Sequence, residues 1–206
     1  LRLARAMAAH PAVGAADADA LAALLCLHAA RLGGRVDGDG QPLLLVEQAR
    51  ERWDPGLIGL GHRYLQRAAR GSSLSRWHCE AGIAAEHATA ASPARTDWAA
   101  IVGWYERLLV LDPTPVPRLA HAIAVGEAQG AAAGLAAVEA VLPLLPAERY
   151  PFGHAARGDL LGRLQRPQEA HQAYLRAQAQ TRSAAERALL ARKIAELGCD
   201  AQAAGG

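Results

Sequence analysis

The sequence predicts an all-α fold of stacked antiparallel helical hairpins, an α-solenoid interrupted by one short hairpin or ordered loop near residues 35–46. Three observations carry this. Of the 206 residues 51% are hydrophobic but only 4% aromatic, and the apolar content is mostly alanine and leucine, which favour helix. Apolar residues recur at steps of three and four between clear stop signals. The intervening loops are short, so helices adjacent in sequence are expected to pack antiparallel.

Taken in order, the spacing predicts helices over about 16–33, 55–70, 74–91, 97–111, 116–129, 131–142, 152–165, 168–181 and 183–197. Asp54 is placed to cap the second, with Pro55 at its first position. In the fourth, Trp98, Ile101, Tyr105 and Leu108 fall on one face, Thr96 or Asp97 supplies an N-cap, and Pro113 and Pro115 end the run. The closing stretch from Cys199 has little to bury and reads as a tail over 200–206.

Hairpins in series prompt a search for a repeat. In "GHAARGDLLGRLQRPQEAHQAYLRAQAQ", Ala170, Tyr174 and Ala177 fit the small, aromatic and small positions of a tetratricopeptide (TPR) second helix, and Gly158 falls on that repeat's glycine. About two periods earlier, Tyr105 takes the aromatic position and Pro113 the closing proline. The unit between keeps the hairpin shape but has Glu139 or Ala140 where the aromatic would stand. A hairpin of this kind cannot bury its apolar face alone, and stacking closes the core.

The stretch "RVDGDGQPLLLVEQARERWD", Arg35 to Asp54, departs from this pattern. As a calcium loop starting at Asp37 it would offer Asp39 and Gln41 as ligands, but Pro42 stands where the turn glycine belongs and Gln48 where a bidentate carboxylate is needed. Asp-Gly pairs accept positive φ, so Asp39-Gly40 reads as part of a tight turn between short extended arms. Gln48, Arg50 and Trp53 then either pin the loop to the helices by hydrogen bonds and aromatic packing or meet a partner directly.

Other clusters point weakly to chemistry. His78, Cys79 and His87 are metal-capable types, but the two histidines are about two and a half turns apart on one helix and face opposite sides, whereas zinc needs steps of three or four. His154, Arg157 and Asp159 come close together on another helix. Arg157 is there either an anchor for an acidic partner group or one half of an intramolecular ion pair. The sequence contains no G-x-S-x-G, no H-E-x-x-H and no phosphate-cradling glycine loop. It predicts no enzyme, and no cofactor or metal.

Charge and cysteines limit the setting. Lys193 is the only lysine among 22 basic residues, and a net charge of +2 gives no strong electrostatic footprint for nucleic acid. Cys26, Cys79 and Cys199 form no C-x-x-C pair and no disulfide framework, which suits a reducing cytoplasm. No apolar run reaches the roughly 18 residues of a membrane span, and no secretory leader pattern appears. The sequence opens at Leu1 within what reads as a helix, and a fragment of a longer polypeptide is expected.

The segment "LLCLHAARLGGRVDGDGQPLLLVEQARERWD" resembles the region that follows the DNA-binding parts in a group of extracytoplasmic-function RNA polymerase sigma factors with a long TPR-like C-terminal extension. That region runs from leucines through L-H-D-A-R, an R-x-D-x-D-G turn and an apolar run to Q-D-R-x-x-W-D. His28, Arg31, Arg35, Asp37, Asp39, Gly40, Gln48, Arg50, Trp53 and Asp54 match without a gap. Similarity continues through "EAGIAAEHA", "TDWAAIVGWYERLLVLDPTPV" and "HAARGDLLGRLQRPQEAHQAYLRA". Ala29, Ala49 and the pair Ala120-His121 depart from the pattern.

The resemblance implies an N-terminal helical part with an inserted loop over 1–95, TPR-like repeats over 96–199, and a role in DNA-templated transcription initiation. RNA polymerase core and promoter DNA would be gripped by sigma regions upstream of Leu1, so no direct DNA binding is expected of this chain. The extension would act by contact with those regions or with a regulatory protein. Repeat spacing alone suggests a second reading, a free-standing TPR-like peptide adaptor. An α-helical metalloenzyme using His78, Cys79 and His87 is a third.

Overall fold

The computed structural model describes residues 1–10, 16–38, 40, 43–146 and 150–203, with side chains to 197. It is helical throughout, with no β-strand among the described residues. Among the described residues ten α-helices run in order: α1 Arg2–Ala9, α2 Ala16–Ala30, α3 Pro55–Ala68, α4 Arg76–Thr89, α5 Trp98–Leu111, α6 Pro115–Gln129, α7 Ala131–Val141, α8 Pro151–Arg163, α9 Pro167–Gln180 and α10 Ala184–Ala203. They form two compact units, Leu1–Pro113 and Thr114–Gly206.

The first unit is organised around α2. Its sequence ADADALAALLCLHAA carries apolar residues on every side, the mark of a helix surrounded by others. Ala20, Ala22, Ala23 and Cys26 are wholly inaccessible, and α1, α3 and α4 pack around them. Small side chains let these helices approach closely. A Cβ at Gly61 of α3 would stand 2.7 Å from Leu27 Cγ of α2, so glycine sets that crossing.

One buried carboxylate, Asp19, is paired by charge, although no hydrogen bond reaches its Oδ1. Arg67 Nη2 of α3 lies 3.0 Å from its Oδ1 and also donates to the Ala8 carbonyl at 3.0 Å. A single guanidinium thus ties α1, α2 and α3 together, and buried charge is tolerated because it is paired. The next pair, α4 and α5, meets at Gly82, where a Cβ would fall 2.5 Å from Trp104 Cε2. The aromatic seated on that glycine is therefore Trp104, one residue before the Tyr105 that spacing suggests.

Helix starts follow local chemistry. Asp54 accepts from the Gly56 and Leu57 amides at 2.8 and 3.0 Å, ahead of Pro55. Asp97 accepts from the Ala100 amide at 2.9 Å. Each satisfies amides that the helix itself leaves open.

In the second unit α7, α8, α9 and α10 each pack on the helix before them, as in a solenoid. Leu119, Leu135, Val138, Leu160, Leu161 and Tyr174 form the core. The α6–α7 turn uses Gly130 at φ 96°, a conformation open to glycine at little cost. The helices then cross where a Cβ on Gly134 would meet Gly126 Cα at 2.4 Å. In the following hairpin Gly158 faces the Tyr174 ring, where a Cβ would fall 2.5 Å from Cε1, and Ala170 and Ala177 are inaccessible. At the C-terminal end α10 runs on to Ala203, into the stretch expected as a tail; its alanines keep helical propensity there.

Candidate functional site

The described residues between α2 and α3 pack within the first unit. A 3₁₀ turn over Leu32–Gly34 leaves α2, and Gly40 adopts φ 77°, the left-handed conformation that Asp-Gly predicts. The Leu43 amide donates to the Arg35 carbonyl at 2.9 Å. Asp39, with Gln41 and Pro42, lies outside the described residues. Two more 3₁₀ turns, Leu45–Glu47 and Arg50–Arg52, lead to Trp53, and the Asp54 amide returns to the Ala30 carbonyl at 2.9 Å.

Trp53 is the anchor, 4% exposed beneath the loop. Its Nε1 stands 2.9 Å from the position a Cβ would take on Gly34, so only glycine fits there. Two guanidiniums lie against the indole, with Arg50 Cζ 4.7 Å and Arg31 Cζ 5.4 Å from the ring centroid, within cation–π range. Gln48, buried as well, accepts from Arg31 Nε at 3.4 Å and donates to the Leu43 carbonyl at 3.3 Å. Arg50 Nη1 donates to the His87 and Ala90 carbonyls and so occupies acceptors left open at the end of α4.

The electrostatics of this corner are one-sided. His87 of α4 packs edge-on against Trp98 at 5.3 Å and its Nδ1 is buried without a partner. Burial, reinforced by Arg31, Arg50 and His28, pushes its pKa from 6.5 down to about 4, so the ring is neutral. The His28 side chain reaches solvent, yet partial desolvation lowers its pKa, with Arg31 and Arg35 adding to the effect. Burial also depresses the pKa of Arg31 and of Arg50. Among the described residues no carboxylate forms an ion pair with Arg31, Arg35 or Arg50.

The α8 cluster is different in kind. Arg157 Nε lies 2.9 Å from Glu139 Oε1 on α7, with Glu169 of α9 at 3.9 Å, so it is engaged within the chain. Asp159 accepts from Tyr174 Oη at 2.6 Å and from Lys193 Nζ, which links α8, α9 and α10. Burial first, then Arg176 and Arg157, lowers the pKa of His154, whose Nδ1 is buried and unpaired. His154, Arg157 and Asp159 therefore do not converge on one open site.

His78 and Cys79 point into the core. His78 Nδ1 is 2.9 Å from Ser75 Oγ and accepts from the Ser75 amide at 3.2 Å, closing the start of α4. Cys79 is fully buried, and burial raises its thiol pKa. Among the described residues no three His, Cys, Asp or Glu side chains come together as a metal site would require. Nor is any helix among them long and apolar enough to cross a membrane.

Residues 1–69 match a family described as "Family of unknown function (DUF6596)". The chain is 36% identical over 180 residues to "Uncharacterized protein R00370" of Rhizobium meliloti (strain 1021), an alignment that takes in 87% of this chain and 42% of the relative. The chain thus spans less than half of that relative's length. No solved structure matches.

The loop with its basic corner is the site these observations single out. Sequence reasoning marked Arg35, Gln48, Arg50 and Trp53 but treated His87 only as a metal-capable side chain on another helix. No spacing signal joins His87 to the loop, because the contact is made by the packing of α4 on α2.

Proposed function

We propose that this chain is the regulatory, protein-binding extension of a bacterial extracytoplasmic-function sigma factor, acting in the cytoplasm in transcription initiation. On this reading it performs no catalysis, and the segments that grip RNA polymerase core and promoter DNA belong to the polypeptide before Leu1. The observation that carries the reading is the gapless motif from His28 to Asp54. Several of its residues serve one packed feature, with Trp53 under the loop, Gln48 joined to Arg31, Arg50 joined to the end of α4, and Asp54 opening α3. Similarity to a relative more than twice as long agrees with a chain that works as part of a larger polypeptide.

The test is transcription in vitro from a promoter that the whole polypeptide uses, compared with a version truncated before Leu1. Marked loss or release of activity on truncation is the expected result. Equal activity would overturn the reading and favour a free-standing TPR-like adaptor. That second reading is supported by the seat of Tyr174 on Gly158 between the inaccessible Ala170 and Ala177, the small-aromatic-small arrangement of a TPR hairpin.

A further inference from the structure

In the second unit α8 and α10 both pack on α9, and they touch each other where Lys193 of α10 donates to Asp159 of α8. Phe152 lies about two turns before Asp159 on α8, and Glu186 about two turns before Lys193 on α10, so each pair shares one face of its helix. The bond at the inner level therefore sets Phe152 and Glu186 across from each other at the outer level, where the two helices start. A cleft of about 370 Å³ opens there, with Pro151 and Phe152 on one side and the turn from α9 into α10, together with Glu186, on the other. This is within the size range of small ligand sites.

Both walls are held in place by the chain itself. Phe152 is 52% exposed, yet its ring packs edge-on against Tyr150 at 5.6 Å. The Glu186 amide donates to Ser183 Oγ at 3.3 Å, and its Oε2 accepts from Thr181 Oγ1. Thr181 is buried and its hydroxyl is fixed in turn by the Ser183 amide at 3.2 Å. A carboxylate accepts more than one hydrogen bond, and among the described residues no cation pairs with Glu186. The nearby Arg187 is turned to the Thr181 carbonyl at 3.1 Å, and Arg182 stands exposed at the rim. A fixed carboxylate opposite an exposed aromatic ring complements a flat cation, which stacks on the ring and gives paired N–H bonds to the carboxylate. We propose that the cleft between the start of α8 and the turn into α10 takes an arginine side chain of a partner protein, its guanidinium lying on Phe152 and donating to Glu186. Because Thr181 and Tyr150 already hold these two groups, little ordering is required on binding. The inference deepens the reading of this chain as a protein-binding module and does not need the sigma-factor assignment.

The test titrates the ¹⁵N-labelled 206-residue chain with a short serine-glycine peptide carrying one central arginine, followed by amide chemical shifts, which register affinities on the order of millimolar. Saturating shifts are expected at Phe152 and from Thr181 to Glu186, with citrulline in place of the arginine abolishing them. Glu186→Gln should weaken binding by about tenfold or more, through loss of the charge-assisted pair, and Phe152→Leu by about threefold, through loss of the ring face. Glutamine keeps an acceptor for Thr181, and Phe152 is exposed, so unaltered thermal midpoints show that lost binding is not lost folding. Arg182→Ala removes a like charge from the rim and should leave affinity unchanged or raised. Four outcomes overturn the proposal: no saturable shifts at the cleft, full affinity in both Glu186→Gln and Phe152→Leu, tighter binding of the same peptide with a central glutamate, or weakened binding in Arg182→Ala. Failure here leaves the outcome of the truncation experiment unaffected, so this site and the sigma-factor reading fall separately.

Discussion

His87 shows how a single residue records its surroundings. The imidazole is held neutral because a proton on it would share the corner with Arg31, Arg50 and His28 and would lack solvent. Its folded pKa, about 4, lies below the ordinary 6.5, so on acidification the unfolded chain takes up this proton before the native one does. Stability from this group is therefore complete above pH 6.5 and is lost as pH falls from 6.5 toward about 4. The loss should be about 2 kcal/mol after allowing for partial solvation. His87→Phe keeps the edge-on contact with Trp98 and removes the titration. Urea unfolding at a series of pH values should show a shallower decline for the variant, and parallel curves would refute the assignment.

At the level of the element, the helix ends are where sequence and structure agree most closely. Pro55 begins α3 behind its Asp54 cap and Asp97 caps α5, as expected, whereas Pro115, read as part of the stop after α5, begins α6. These signals are local, so one sequence suffices to read them. The turn between α8 and α9 is an exception in composition. The Gln165 amide donates to the Gly162 carbonyl and the Arg166 amide to the Leu161 carbonyl, both at 3.0 Å, the paired bonds of a Schellman ending. The left-handed residue in it, at φ 57°, is Gln165, where glycine is the usual occupant. Gln165→Gly should therefore stabilise the chain by about 1 kcal/mol, read as a raised urea midpoint with unchanged slope. An unchanged or lowered midpoint would show that the glutamine is not strained there. Periodicity was less informative inside elements. Trp104 and Tyr105 are adjacent aromatics on an apolar helix, and spacing does not decide which one meets Gly82. In α2, apolar residues on all sides leave no face to read, so its central position emerges only from packing. The loop was legible as a unit because its turn chemistry and anchors are contiguous, whereas His87 reaches it from α4 by tertiary contact.

For the whole molecule, two kinds of helical assembly imply two patterns of local stability. In the first unit α2 is enclosed by α1, α3 and α4, and opening it requires the core of that unit to come apart. In the second, stability is distributed along a line, since α8 is flanked by α7 and α9 while α10 packs on α9. The end of such an array opens without disturbing its middle. The Lys193 bond to Asp159 holds α10 at its middle, and among the described residues α10 packs chiefly on α9. Hydrogen exchange followed by mass spectrometry should therefore find the amides of α2 and of α8 around Leu160 and Leu161 slowest, with the second half of α10 exchanging at least about tenfold faster than α8. Equal protection of α8 and α10 would mean that the second unit opens as one cooperative block, and the description of it as a solenoid would have to give way to a closed bundle.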